Sequence, residues 1–152
     1  MPMPWTYRHA TREWRAMLSD AKDRMGLNSD NMTYTAIDGV FRVFRRRLSA
    51  QEGLDFAQVL PSVPRAMFVA EWDLSGGPVP FADRATLIAE VKALRPHHNL
   101  TPDTAIEDTA WALRRATDAR AFERVLERLP EGARAFWHVD VVDPGELAQR
   151  IV

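Results

Sequence analysis

The sequence predicts an all-α protein in which two tandem pseudo-repeated four-helix units pack as one compact helical body and a short C-terminal helix follows. Three observations predict it. Apolar residues recur at i, i+3, i+4 and i+7 along most of the 152 residues, and nowhere do apolar and polar positions alternate long enough to make a strand. The breaks in that period fall at proline, glycine and side chains that cap helices. Finally, sliding the chain by 69 residues without a gap lays Thr35-Ala36-Ile37-Asp38 on Thr104-Ala105-Ile106-Glu107 and Arg45-Arg46 on Arg114-Arg115. The same offset pairs Leu60-Pro61 with Leu129-Pro130, Arg65-Ala66-Met67-Phe68 with Arg134-Ala135-Phe136-Trp137, and, upstream, Arg15-Ala16 with Arg84-Ala85. A duplicated unit explains this register, and two copies are too few for a solenoid.

The elements follow in order. Trp14, Met17, Leu18, Ala21 and Met25 share one face of a first helix, and Ile37, Val40, Phe41, Phe44 and Leu48 share one face of a second. Ser49 with Glu52 three residues on is a capping box, opening a third helix that turns Leu54, Ala57 and Leu60 inward. Pro61 stops it, and Pro64 sits in the first turn of a fourth with Met67 and Phe68 on the buried side. Gly76-Gly77-Pro78 and Pro80 then forbid helix. The period resumes at Asp83 with Ala85, Ile88, Val91 and Leu94 and breaks at Pro96. Thr101-Pro102 reads as an N-cap before a helix carrying Ile106, Ala110 and Leu113; Phe122, Val125, Leu126 and Leu129 mark the next, and a short one with Phe136 and Trp137 follows Pro130. Asp143-Pro144-Gly145-Glu146 is a second capping-box pattern before Leu147 and Ile151. The organisation is thus a first unit over 1–72, a Gly/Pro linker over 73–82, a second unit over 83–139 and a tail over 140–152.

Composition narrows the function. With 46% hydrophobic and 27% charged residues the chain can bury one core. The 20 Lys+Arg and 21 Asp+Glu give a net charge of −1, so no overall field draws it to nucleic acid or an anionic membrane. The absence of cysteine excludes disulfides, thiolate metal sites and thiol catalysis. The opening MPMPWTYRHATREW is too polar for a secretory leader, and no apolar run is long enough for a membrane span, so a cytoplasmic protein is expected.

The segments RRRLSAQEGLDFAQVLP and FVAEWD in the first copy, with LTPDTAIEDTAWALRR and FERVLERLP in the second, resemble the bacterial family DUF2267, a domain of unknown function, over residues 1 to about 139. The resemblance implies an all-helical, duplicated fold and brings no activity, cofactor or catalytic residue.

Candidate chemistry is sparse. His97 and His98, with Asp103 near, are paired metal-type residues, but adjacent side chains rarely ligate one ion, and a polar surface loop accounts for them better. His9 with Glu13 and Asp103 with Glu107 stand at acid–base spacing, which solvated helix faces also supply. No phosphate-cradling or nucleophile motif is present, so no enzyme, metal or cofactor is expected. Arg42, Arg45 and Arg46 share a helical face, and Arg114 and Arg115 sit at the equivalent place in the second copy; together they form a candidate face for an anionic partner. With only two lysines in the chain, arginine also carries its ordinary surface charge. Among the aromatics, Trp5, Trp72, Phe81 and Trp137 are candidates for a protein interface. Alternatively, Trp5 and Trp72, read as non-helical, fold back over the seam between the copies. The expected function is therefore non-catalytic: protein–protein interaction, as an adaptor or assembly subunit or by self-association. The alternatives are nucleic-acid binding through the arginine faces and a small-molecule pocket between the units.

Overall fold

A computed structural model describes residues 1–97 and 99–152. Among these, every regular element is helical. In chain order they are α1 (Trp5–Arg8), α2 (Ala10–Met25), α3 (Asp30–Arg45), α4 (Ala50–Gln58), α5 (Ser62–Val69), α6 (Arg84–Ala93), α7 (Ala105–Arg115), α8 (Ala119–Arg128), α9 (Ala133–Phe136) and a 3₁₀ turn over Pro144–Leu147.

Local chemistry starts α4 and α6 where the sequence expects, and side-chain caps not singled out from the sequence start α3 and α8. The Ser49 side chain accepts from the Glu52 N–H while Glu52 reaches back to the Ser49 N–H, the complete capping box of α4. Ser29, Asp83 and Asp118 cap α3, α6 and α8 in the same manner, each taking one of the first-turn N–H groups that has no partner inside the helix.

Four readings are corrected. Trp5 lies inside a helix, α1, that the period does not reveal because a single turn spans too few residues. Thr101-Pro102 does not open α7; the helix begins after Thr104, whose hydroxyl donates to Asp108 four residues on at 2.6 Å. Asp143 caps a 3₁₀ turn through the Gly145 N–H, and Glu146 is diverted from any capping box to accept from the Trp111 indole N–H at 2.9 Å. Leu54 faces outward, the inner side of α4 being Gly53, Phe56 and Ala57.

The helices interlock. α3 lies at the centre, touching α2, α5, α6 and α7, and is buried nearly all round. The first long helix of each half packs on the central helix of the other, α2 on α7 and α6 on α3. The two halves consequently share one apolar cluster, with Phe41, Phe44, Phe56 and Phe68 from one and Phe122, Phe136 and Trp137 from the other. Ring centroids there lie 4.8–6.3 Å apart, mostly tilted or edge to face, the spacing aromatic quadrupoles favour. Ile37 and Ile106, paired by the 69-residue offset, are both buried. These features fit the pseudo-repeat. None of the described helices is long and apolar enough to cross a membrane.

Candidate functional site

The C-terminal end of α3 carries the arginine run, and the structure separates its members by depth. Arg45 is buried, 4% exposed, and its guanidinium donates to the carbonyls of Phe68 at 2.9 Å, Ala70 at 2.8 Å and Glu71 at 3.3 Å. It satisfies the carbonyls left open where α5 ends, a duty a cation performs well at a helix C-terminus. Burial, and secondarily the neighbouring Arg42 charge, lowers its pKa from the ordinary guanidinium value. Arg47 is likewise buried, donating to the Val43 and Pro80 carbonyls and pairing with Glu90 at 2.6 Å. Arg42 and Arg46 remain at the surface. Arg42 bonds Asp38 at 2.8 Å and Glu71 at 3.3 Å, the Asp38 bond foremost in raising its pKa, and Arg46 pairs with Glu90 at 3.0 Å while staying 52% exposed.

Beyond α5 the chain reverses at Glu71, which holds the left-handed conformation at φ 55 that non-glycine residues seldom adopt. That turn sends Trp72 back over the fold. Its indole lies edge-on to Phe68, with centroids 5.8 Å apart, and beneath the Arg45 guanidinium at 5.6 Å. Gly53 makes room for it, since a Cβ there would overlap the indole. The following segment closes through a Gly77 N–H to Leu74 carbonyl turn and docks on α3 by donating the Val79 N–H to the Arg46 carbonyl at 3.0 Å.

Between this strap and the helices lies a cleft of about 650 Å³, within the range of small-ligand and peptide sites. Leu48, Leu74, Val79 and Leu94 give it apolar walls, Trp72 lies along one side, and Arg42 and Arg46 supply donors. Leu74 and Leu94 are about half exposed. The cleft thus brings together Trp72 from the interface candidates and the Arg42, Arg45 and Arg46 group from the anionic face. Composition and period did not single out Leu74 or Gly53, and Leu94, which the period groups with Ile88 and Val91, is instead half exposed because the helix turns Leu87, Ile88 and Val91 inward.

The other candidates lie elsewhere. Trp137 is wholly enclosed in the aromatic cluster and offers no surface to a partner. Phe81 is half-buried, packs on Phe44 and Phe136, and covers Gly132, whose φ of 104 and missing Cβ both require glycine. Trp5 is exposed and rests against His9, with centroids 3.9 Å apart. Arg114 donates to the Trp137 carbonyl at 2.8 Å, pairs with Glu123 and lies over Phe122. Arg115 bonds Asp20 at 3.0 Å and the Glu146 carbonyl at 2.9 Å and stacks on Trp111. Each of the five candidate arginines therefore has partners within the protein.

Of the paired ionisable groups, Glu13 is half-buried near the Arg115 side, Asp103 is ion-paired with Lys92, and Glu107 shares an open surface hollow with His138 and Asp140. His97 is exposed and His98 lies outside the described residues. A buried acid the sequence did not single out is Asp108: removal from water raises its pKa above the ordinary 3.8, against the opposing pull of the Thr104 hydroxyl and Arg24.

Comparison with known proteins adds one match. A family model described as an uncharacterized conserved protein, DUF2267, covers residues 14–136. No curated protein matches the chain.

Proposed function

Because this chain belongs to the DUF2267 family, whose description carries no activity, we propose from its own geometry that it is a non-catalytic protein-interaction module acting as an adaptor or assembly subunit, with the cleft beside Trp72 as its recognition site. The observation carrying this reading is the cleft itself, where half-exposed leucines surround an aromatic side chain at the mouth of a fixed helical scaffold. Aromatic and arginine side chains converging on one recess are the usual composition of binding hot spots. The arginine faces support nucleic-acid binding less well, because their charges are spent on internal carbonyls and carboxylates. A small molecule is the second reading, favoured by the volume and by the position of the cleft between helices of both halves.

The test is affinity capture from the cells of origin with wild type and with Leu74→Asp, a change at an exposed strap position. A partner held by wild type and lost with the variant, at unchanged melting temperature, is the expected result. Partners retained equally by both would remove the cleft from the reading. Submicromolar nucleic-acid binding that falls steeply with salt would replace it.

A further inference from the structure

The second half contains the counterpart of the cleft, already filled. By the 69-residue offset, Arg42, Arg45 and Arg46 correspond to Trp111, Arg114 and Arg115, and the strap over 71–79 corresponds to the tail over 140–148. One contact recurs at these positions, Arg45 donating to the Phe68 carbonyl and Arg114 to that of Trp137, and a second recurs two residues out of register, the Val79 N–H donating to the Arg46 carbonyl and the Arg150 N–H to that of Arg115. In the second half, however, the tail forms a 3₁₀ turn whose Leu147 packs against the core, and only about 140 Å³ remains beside Arg114, Thr117 and Leu147. The Glu146 carboxylate accepts from the Trp111 N–H and its carbonyl from Arg115. In the first half the matching stretch of strap is Ser75-Gly76-Gly77-Pro78, which has no side chain able to fill the space, and about 650 Å³ stays open.

We propose that the cleft beside Trp72 receives a segment of a partner protein that inserts a leucine next to a glutamate, supplying from outside what Leu147 and Glu146 supply to the second half. This deepens the protein-interaction reading and rests on it. The donors suit such a guest. Where Trp111 meets the Glu146 carboxylate the first half has Arg42, and where Arg115 meets its carbonyl it has Arg46; both line the cleft. Glu71 is 83% exposed, so its pair with Arg42 is weak enough to exchange for a guest carboxylate, and Arg46, itself 52% exposed, shares Glu90 with the buried Arg47, which can keep that carboxylate when Arg46 turns to a guest. Leu48, Val79 and Leu94 provide the apolar wall for the leucine.

The probe is a fluorescently labelled peptide of residues 141–149 of this chain, VVDPGELAQ, titrated into the full-length protein and followed by polarisation. Saturable binding is expected, weakened tenfold or more by Leu74→Asp, by Arg46→Ala, and by replacing the peptide leucine with alanine. Two protein variants are used so that a folding defect in one cannot decide the outcome. No binding at millimolar peptide overturns the proposal, as does binding that both variants leave unchanged, which would mean that the peptide displaces the tail of the second half. A concentration-dependent dimer abolished by Leu74→Asp would assign the cleft to a second copy and also overturn it. Should the peptide fail while Leu74→Asp still releases a captured partner, the interaction reading stands and only this guest chemistry falls.

Discussion

In the first half Arg45 sits over Trp72, an aromatic side chain brought by the segment after α5, while Gly53 on α4 stays bare to admit it. In the second half Arg114 lies over Phe122, which α8 itself supplies at the position equivalent to Gly53, and the following segment contributes only Val141 where the first has Trp72. The same buried-arginine geometry is thus completed by an aromatic ring from opposite sources. The comparison teaches that packing conserves the filled volume beneath the guanidinium rather than the residue that fills it. It also shows a consequence at the surface, since the tail can settle inward over its arginine whereas the glycine-rich strap leaves a cleft.

The largest expected effect tests whether the halves are equivalent at their shared core. Ile37→Ala and Ile106→Ala should each cost about 2–5 kcal/mol, the range for a truncated buried isoleucine. Denaturant unfolding checks it, and a variant as stable as wild type would break the equivalence at that position. The arginines should then separate the halves. Arg45→Met leaves three carbonyls without their cationic donor and should cost about 3 kcal/mol, whereas Arg114→Met, losing one carbonyl contact and a partly exposed Glu123 pair, should cost about half as much. Equal losses would mean that the extra carbonyl contacts of Arg45 contribute nothing.

A smaller effect tests the exchange of aromatic rings directly. Gly53→Phe and Trp72→Val should each destabilise by about 1–3 kcal/mol, one by overpacking and one by leaving a gap. Together they convert the first half to the arrangement of the second, and the pair should be less harmful than the sum of the two. A double-mutant cycle reads that coupling, and strict additivity would refute the exchange.

The smallest effect concerns Asp108, which stands where the first half has Gly39. Its pKa is raised in the folded state, chiefly by burial, so the native protein binds this proton more tightly than the unfolded chain does. The group therefore adds stability at pH below the ordinary 3.8 and loses that contribution as pH rises through its higher folded value. Wild type should gain in melting temperature relative to Asp108→Asn as pH falls from 7 into that range. A constant difference would show that the burial penalty is fully offset by Thr104 and Arg24.

Much of the fold was legible because it is locally encoded. The Ser49–Glu52 capping box, the Pro61 stop and the buried faces of α2 and α3 depend on neighbours within one or two turns, and residues that close in sequence carry the whole signal. The exceptions mark where distant contacts compete. Glu146 leaves its capping position because Trp111 offers it a donor from 35 residues away, and Leu54 points outward because Gly53 and Phe56 are claimed by Trp72 and the aromatic cluster.

The candidate site divides along the same line. Trp72 and the arginines could be picked out by residue type and spacing, yet their depth could not: Arg45 and Arg46 are sequence neighbours, one buried against three carbonyls and the other half exposed. Sequence alone determined the helical class, the 69-residue internal match and the absence of thiol chemistry, since periodicity and composition are properties of the chain taken in order. Tertiary structure alone decided that Trp137 is core, that the arginines are tied to internal acceptors, and that a cleft opens beside one strap and not the other. The physical reason is that burial, the pairing of a charge and the filling of a volume each depend on atoms contributed by segments far apart in the chain, and these meet only when the two halves interlock.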